Sequence, residues 1–350
     1  MNRIITQTRQ NNYELLRILA ILIISMMHGI RSAYGSSNDL NAISFVAINT
    51  IGNMGVTIFI LISGYFGIKM RLSKLFKLWS IVLFYSLLIF LYNTFINQPI
   101  ENFALNKELI KDAYRALTPI TSNTWWFITS YTILFMLSPL LNKAVKSMSK
   151  FQMQYLLVIL LIFYSISPTF LMHSLSNTPN GKCTENMILA YLIGRYIAIY
   201  GVPSSIKNKY IVILVSCFCL IFSINYFVFD PLFMAKDHNL FIILGAVCVF
   251  TMFSNINITN TSISKSIAWL ATFAFPIYIL NIFLIDNLEF QYANLNTSSA
   301  YLAYYLVTQC EIIAISILAE SVRRLLLDKP ISCIENIIER KTTFLSDKLN

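Results

Sequence analysis

The sequence predicts an all-α, polytopic integral membrane protein of about ten transmembrane helices, with the N-terminus and the C-terminus both cytoplasmic. Three observations carry this reading. Hydrophobic residues make up 57% of the 350 and charged residues only 12%, against about a quarter charged in a soluble domain. Apolar runs of about 20 residues, the length that crosses a hydrocarbon layer as a helix, recur through the chain. Lys and Arg divide unequally between alternate connections, 18 on one side and 6 on the other, and the richer side is cytoplasmic.

The spans fall near residues 12–33, 43–67, 75–97, 124–142, 152–170, 185–201, 210–228, 239–255, 265–288 and 300–323. A cytoplasmic segment 1–11 with Arg3 and Arg9 leads in. The first span carries Glu14 and Arg17 at its start and no small-residue cleavage site, so it reads as retained rather than as a signal peptide. Lys69, Arg71, Lys74 and Lys77 separate the second span from the third. The outer loop 98–123 mixes charges, and Leu105 to Leu117 within it is expected to be a short amphipathic helix on the membrane surface. Asp230-Pro231 and Lys236-Asp237 split the seventh and eighth runs, and Pro276 is expected to kink the ninth. The domain reading is one transmembrane unit, 12–324, followed by a tail, 325–350, too short for a second domain.

Several function classes drop out. A net charge of +10 would suggest nucleic acid in a soluble protein, but these charges sit in short loops where they set topology. The six cysteines lie mostly inside apolar runs and read as small hydrophobes, without a disulfide framework. No phosphate loop, dinucleotide fingerprint or metal-type His/Cys spacing is present, so no metal and no bound cofactor is expected.

The candidate chemistry begins in the first span, Glu14-Leu-Leu-Arg17 through His28. Ten residues separate Arg17 from His28, which at 100° per residue puts both on one face, roughly 16 Å apart along the axis. Such groups are expensive in lipid and are tolerated where they face protein or a wet cavity. Two readings stand: a snorkelling arginine with a histidine bonded to a neighbouring helix, or a polar groove with an imidazole at its deep end. Glu14 is spaced to pair with Arg17 across one turn. His173 and His238 fall at the outer ends of spans, and Glu311 mid-span in the tenth. Ser63-Gly64 with Tyr65 in the second span is a helix-packing notch or part of a substrate path. The basic turn Arg71 to Lys77 serves topology, or lands a phosphorylated ligand. Trp125 and Trp126 anchor at the outer interface, or stack on a sugar, and Arg195 snorkels or lines the path.

Together these stretches resemble the acyltransferase-3 family of integral membrane acyltransferases, whose members modify bacterial surface polysaccharides. The likeness runs from the first span to the ninth. It rests on Arg17 and His28 behind Glu14-Leu-Leu, and on Gly55-Val to Ser63-Gly64-Tyr65. Trp126-Phe127 through Ser138-Pro139, Gly194-Arg195 and Phe275-Pro276 through Asn281 add to it. The chain departs from the family in two places: Lys74 follows Arg71 where two arginines are common, and Asn281 stands where many members have histidine. The resemblance implies an acyl-CoA donor, usually acetyl-CoA, and an acceptor hydroxyl on an exported or lipid-linked glycan. It implies a multi-pass protein of the bacterial cytoplasmic membrane. In that frame His28 is the catalytic base or acyl carrier, with Glu14 orienting Arg17. Arg17, Arg71 and Lys74 hold CoA phosphates, and Ser63, Tyr65, Trp126, Tyr131 and Arg195 line the channel. The rival reading is a non-enzymatic translocator of lipid-linked sugar.

Overall fold

The computed structural model describes residues 10–97, 107–172, 179–228 and 230–349, and among them the chain is helical with no strand. In order the helices are α1 (Asn11–Gly29), α2 (Asp39–Gly52), α3 (Met54–Phe66), α4 (Leu72–Phe95), α5 (Lys107–Leu117), α6 (Trp126–Ser147), α7 (Lys150–Leu161) and α8 (Ser167–Phe170). There follow α9 (Thr184–Tyr200), α10 (Ser204–Lys207), α11 (Tyr210–Ser223), α12 (Leu240–Ser254), α13 (Thr261–Ala271), α14 (Ala274–Leu288) and α15 (Tyr301–Leu349).

Each expected span has a helix in its place, but among the described residues length and apolarity mark seven stretches as long enough to cross, or eight with α13 and α14 taken together. The sixth and eighth spans, α9 and α12, have 17 and 15 residues, short of a full crossing. The ninth breaks as expected, with α13 and α14 bent by 49°. The break falls at Thr272–Phe273, ahead of Pro276. Proline thus sits in the first turn of α14, where its missing N–H leaves no helix bond unmade.

The chain divides into two compact units, one comprising the residues up to Ile68 with Ala144–Leu318, the other Lys69–Lys143 with the residues from Ala319 on. In the first unit α1 is central. Its Tyr13, Leu16 and Ala20 pack against Met54, Ile58 and Leu61 of α3 and Phe250 of α12. Its Ile21 and Ile24 pack against Ala274 and Ile277 at the start of α14. Taking Arg17 as 0°, the buried Tyr13, Ala20, Ile24 and Ile21 fall between about −60° and +40°. The stripe shared by Arg17 and His28 therefore faces protein, not lipid.

Helices α3 and α9 meet backbone to backbone. A Cβ on Gly64 would lie 2.2 Å from the Tyr191 carbonyl oxygen, and one on Gly194 would lie 2.4 Å from that of Leu61. Gly64 is thus a packing notch, the small-residue contact that lets helices approach closely. Gly67, at φ +74°, then ends α3, its N–H returning to the Ser63 and Gly64 carbonyls.

In the second unit α4 runs beside the last part of α15. The Tyr85 hydroxyl donates to Glu320 at 2.7 Å, and Lys77 pairs with Glu335 at 3.3 Å. Glu320 is enclosed with Arg323, which holds it through two bonds of 2.7 and 2.8 Å. The amphipathic helix expected from Leu105 to Leu117 is present as α5, its apolar Ile110, Tyr114 and Leu117 exposed on one face. Its expected place, flat on the outer surface, is corrected. Leu117, Thr118, Ile120 and Thr121 stand beside Leu72 to Trp79, the first two turns of α4, and enclose with Thr132 a cavity of about 540 Å³. Residues 117–121 therefore lie beside the starting end of α4.

Candidate functional site

The site is organised along α1. Near its start the Arg17 guanidinium donates to Glu14 at 2.8 Å and lies 5.6 Å from the centre of the Phe59 ring on α3. Spacing three apart on a helix makes the first contact, and the packing of α1 on α3 makes the second. Glu14 is nearly buried while the Arg17 side chain keeps 28% exposure, so the cation is oriented yet reachable.

His28 stands in the last turn of α1. The end of that helix is held unusually tightly. Tyr305, Tyr292 and Tyr301 donate their hydroxyls to the Met26, Gly29 and Ile30 carbonyls at 2.9, 2.7 and 3.3 Å. Three buried phenols thus reinforce this helix end, where the Met26 carbonyl also accepts from the Ile30 N–H. Ser25, one turn below His28, lies 3.0 Å from both Asn281 Oδ1 and Gln309 Oε1. One hydroxyl proton cannot serve both, so one amide presents its NH2 to Ser25. Turning Gln309 over does this and gives its otherwise unpartnered Nε2 an acceptor. Among the described residues the His28 ring makes no hydrogen bond.

Three loops gather at this end. Arg31 donates to Glu289, just after α14, and at 2.7 Å to Asp286 in its last turn. Tyr34 donates to Asp230 at 2.6 Å, tying the loop before α12 to the end of α1. That loop docks on the turn before α9, where the Asp237 N–H donates to the Asn180 carbonyl at 3.0 Å and His238 lies against Gly181. Lys182, next in that turn, is near enough to act electrostatically on both His28 and Asp237. Burial pushes the Asp237 carboxyl up to about 7, with Lys182 opposing, and pulls the His238 imidazole down to about 4.

The other residues named from sequence are dispersed. Ser63 donates its hydroxyl to the Phe59 carbonyl at 3.0 Å, within its own helix. Tyr65 joins an aromatic cluster with Tyr13, Phe66 and Phe250, near the Arg17 end. The Arg195 guanidinium reaches the last carbonyls of α3, those of Gly64 and Tyr65, at 3.4 and 3.5 Å. In the second unit Tyr131 stacks on Phe127, which meets Trp126 edge-on. Also there, Arg71 pairs with Glu339 at 2.9 Å, Ser73 donates to the same carboxylate, and Lys74 is exposed. His173 lies outside the described residues. Among the described residues no group of three or more His, Cys, Asp or Glu is placed to hold a metal.

A family model described as an acyltransferase domain, acyltransferase-3, matches residues 10–319. The chain belongs to the acyltransferase-3 family. It is a membrane acyltransferase. No curated protein and no solved structure matches the chain. The matched region takes in the whole of α1 with Arg17 and His28, the loops gathered over its end, and the basic turn at Arg71.

Sequence reasoning passed over Lys182, Asp237, Gln309 and the Glu320–Arg323 pair. For the last a signal existed: Glu320, Arg323 and Arg324 are spaced three and four apart on one helix. Lys182 and Gln309 come to α1 from more than 150 positions away, and Asp237 docks on the turn beside Lys182; no local pattern reports that.

Proposed function

We propose that this acyltransferase moves an acyl group, acetyl in the first instance, from acyl-CoA at the cytoplasmic face to a hydroxyl of a cell-surface or lipid-linked carbohydrate. The observation that carries the reading is the buried stripe of α1, with Arg17 held by Glu14 near one end and His28 near the other. Arg17 receives a CoA phosphate, and the extended pantetheine arm runs along the stripe toward His28. Arg71 and Lys74 remain candidates for donor phosphates.

At His28 a ring nitrogen takes the proton of the acceptor hydroxyl as the oxygen attacks the thioester carbonyl. The tetrahedral intermediate collapses, the C–S bond breaks, and the imidazolium returns the proton to the CoA sulfur. The tyrosine bonds at the end of α1 keep the ring in register, so positioning is established before substrate arrives. Ser63, Tyr65, Trp126, Tyr131 and Arg195 remain candidates for lining the substrate path. The setting proposed is the bacterial cytoplasmic membrane, with both termini inside.

The test uses membranes containing the protein, labelled acetyl-CoA, and extraction of the host's envelope glycan. Label that enters glycan and leaves it under mild base supports ester transfer. No label from acetyl- or succinyl-CoA, with correctly inserted protein, overturns the reading in favour of a translocator.

A further inference from the structure

Asp237 is the buried ionisable group that the reaction above leaves without a task. It is 4% exposed, its Oδ2 is enclosed, and no hydrogen bond reaches that oxygen. A buried carboxyl without a donor is costly, and natural structures carry few. Its backbone is fixed on both sides. Its own N–H is bound to Asn180, and a Cβ on Gly181 would lie 2.6 Å from the His238 nitrogen. Asn225 accepts from the Met234 N–H at 2.8 Å, pinning the loop from below. The cap of α12 is Asn239, which accepts from Phe241 at 2.9 Å, so Asp237 is not spent on helix capping.

We propose that Asp237 and Lys182 form the subsite that recognises the acceptor: the Asp237 carboxyl hydrogen-bonds one hydroxyl of a sugar whose neighbouring hydroxyl faces His28, and the Lys182 ammonium donates to a second sugar oxygen. This rests on the acyl-to-carbohydrate reading above. Three placements support it. Tyr34, six residues past His28, donates to Asp230 in the loop that also bears Asp237. Lys182 is exposed, has no ion pair among the described residues, and acts on both His28 and Asp237. Tyr278 of α14, packed against Ile21 and Ile24 of α1, lies within electrostatic reach of Asp237 and supplies an aromatic wall. A carboxyl held up to about 7 both gives and takes hydrogen bonds near neutral pH, as a sugar hydroxyl does. A cation is disfavoured here, because Lys182 already supplies the positive charge and no further acidic group completes a metal site among the described residues.

The test is saturation-transfer NMR on the purified full chain in a detergent without a sugar headgroup. The probes are the methyl glycosides of glucose, galactose, mannose and N-acetylglucosamine, then the monodeoxy series of the best binder. In the wild type, removing one particular hydroxyl is expected to weaken binding about tenfold. Asp237→Asn, eluting as wild type on size exclusion, loses a similar factor on the parent glycoside and shows no further loss with that deoxy sugar. Lys182→Met, at an exposed position that folding tolerates, loses severalfold. Wild-type binding by both variants overturns the subsite while leaving the carbohydrate reading intact. A deoxy series that falls as steeply in Asp237→Asn as in the wild type does the same. Failure of the wild type to bind any of the glycosides overturns the carbohydrate reading and this inference with it.

Discussion

Replacing Gly64 by alanine tests how closely the functional helices are packed. The added Cβ would stand 2.2 Å from the Tyr191 carbonyl oxygen and 2.9 Å from the carbonyl carbon. Ordinary contact begins near 3.4 Å, so α3 and α9 must part by about 1 Å. The obstacle is backbone, which no rotamer change relieves. Overpacking of this kind costs about 1–3 kcal/mol and occasionally more, while alanine returns up to about 1 kcal/mol of helix propensity. A net loss on the order of 2 kcal/mol is expected. Separation also draws the Gly64 and Tyr65 carbonyls away from Arg195, whose bonds to them are already 3.4 and 3.5 Å. Gly245→Ala is the control: its Cβ would meet the Met54 methyl at 2.6 Å, the far end of a flexible side chain. Thermal unfolding in detergent should rank wild type and Gly245→Ala well above Gly64→Ala, with Gly194→Ala beside Gly64→Ala. Equal midpoints for Gly64→Ala and Gly245→Ala would refute the close approach.

Three further outcomes follow from the geometry. Asp237, raised from 3.8 to about 7, binds its proton more tightly folded than unfolded, so its contribution to stability is present below pH 3.8 and lost as pH rises to 7. His238, lowered from 6.5 to about 4, contributes the opposite slope, stability rising between pH 4 and 6.5. Relative to the wild type, the stability of Asp237→Asn should therefore climb between pH 4 and 6.5 and that of His238→Gln should fall, by amounts on the order of a few kcal/mol each; slopes of one sign in both variants would contradict the assignment. Glu339 holds Arg71 at 2.9 Å and also receives the Ser73 hydroxyl, so phosphates arriving at Arg71 must displace it. An exposed pair is worth at most about 1 kcal/mol, and Glu339→Gln should lower the KM for acetyl-CoA by up to about fivefold with kcat unchanged; an unaltered KM would detach Arg71 from donor binding. Tyr305→Phe removes a 2.9 Å bond to the Met26 carbonyl beneath His28, which keeps its bond from the Ile30 N–H, so the loss is that of one hydrogen bond, about 1 kcal/mol. The unfolding midpoint should drop accordingly, and an unchanged midpoint would mean that the phenol does not hold α1.

The parts of the molecule legible in its sequence are those written in local periodicity. The eleven-residue interval from Arg17 to His28 places both on one stripe, and the stripe is buried because Tyr13, Ala20, Ile21 and Ile24 flank it. Glu14 pairs with Arg17, as spacing alone requires. What sequence left hidden depends on distant contacts. The return of residues 117–121 to the first turns of α4 has no signature beyond the amphipathic α5. The clamp of Asn180 and Gly181 on Asp237 and His238 joins segments more than 50 residues apart through left-handed backbone at Asn180 and Gly181. The last turns of α15 look like a spare basic tail, yet Glu335 and Glu339 sit on the very turn whose charges sequence assigned to CoA. Helices α9 and α12, of 17 and 15 residues, have more than half of their residues buried against neighbouring helices, which apolarity alone does not reveal.

The most direct measurement is acetyl transfer from labelled acetyl-CoA to envelope glycan in membranes carrying wild type or His28→Ala, inserted to equal levels. Transfer through His28 predicts base-labile label on glycan with the wild type and a loss of at least a hundredfold in the variant. Label at the wild-type level in His28→Ala would contradict the central claim.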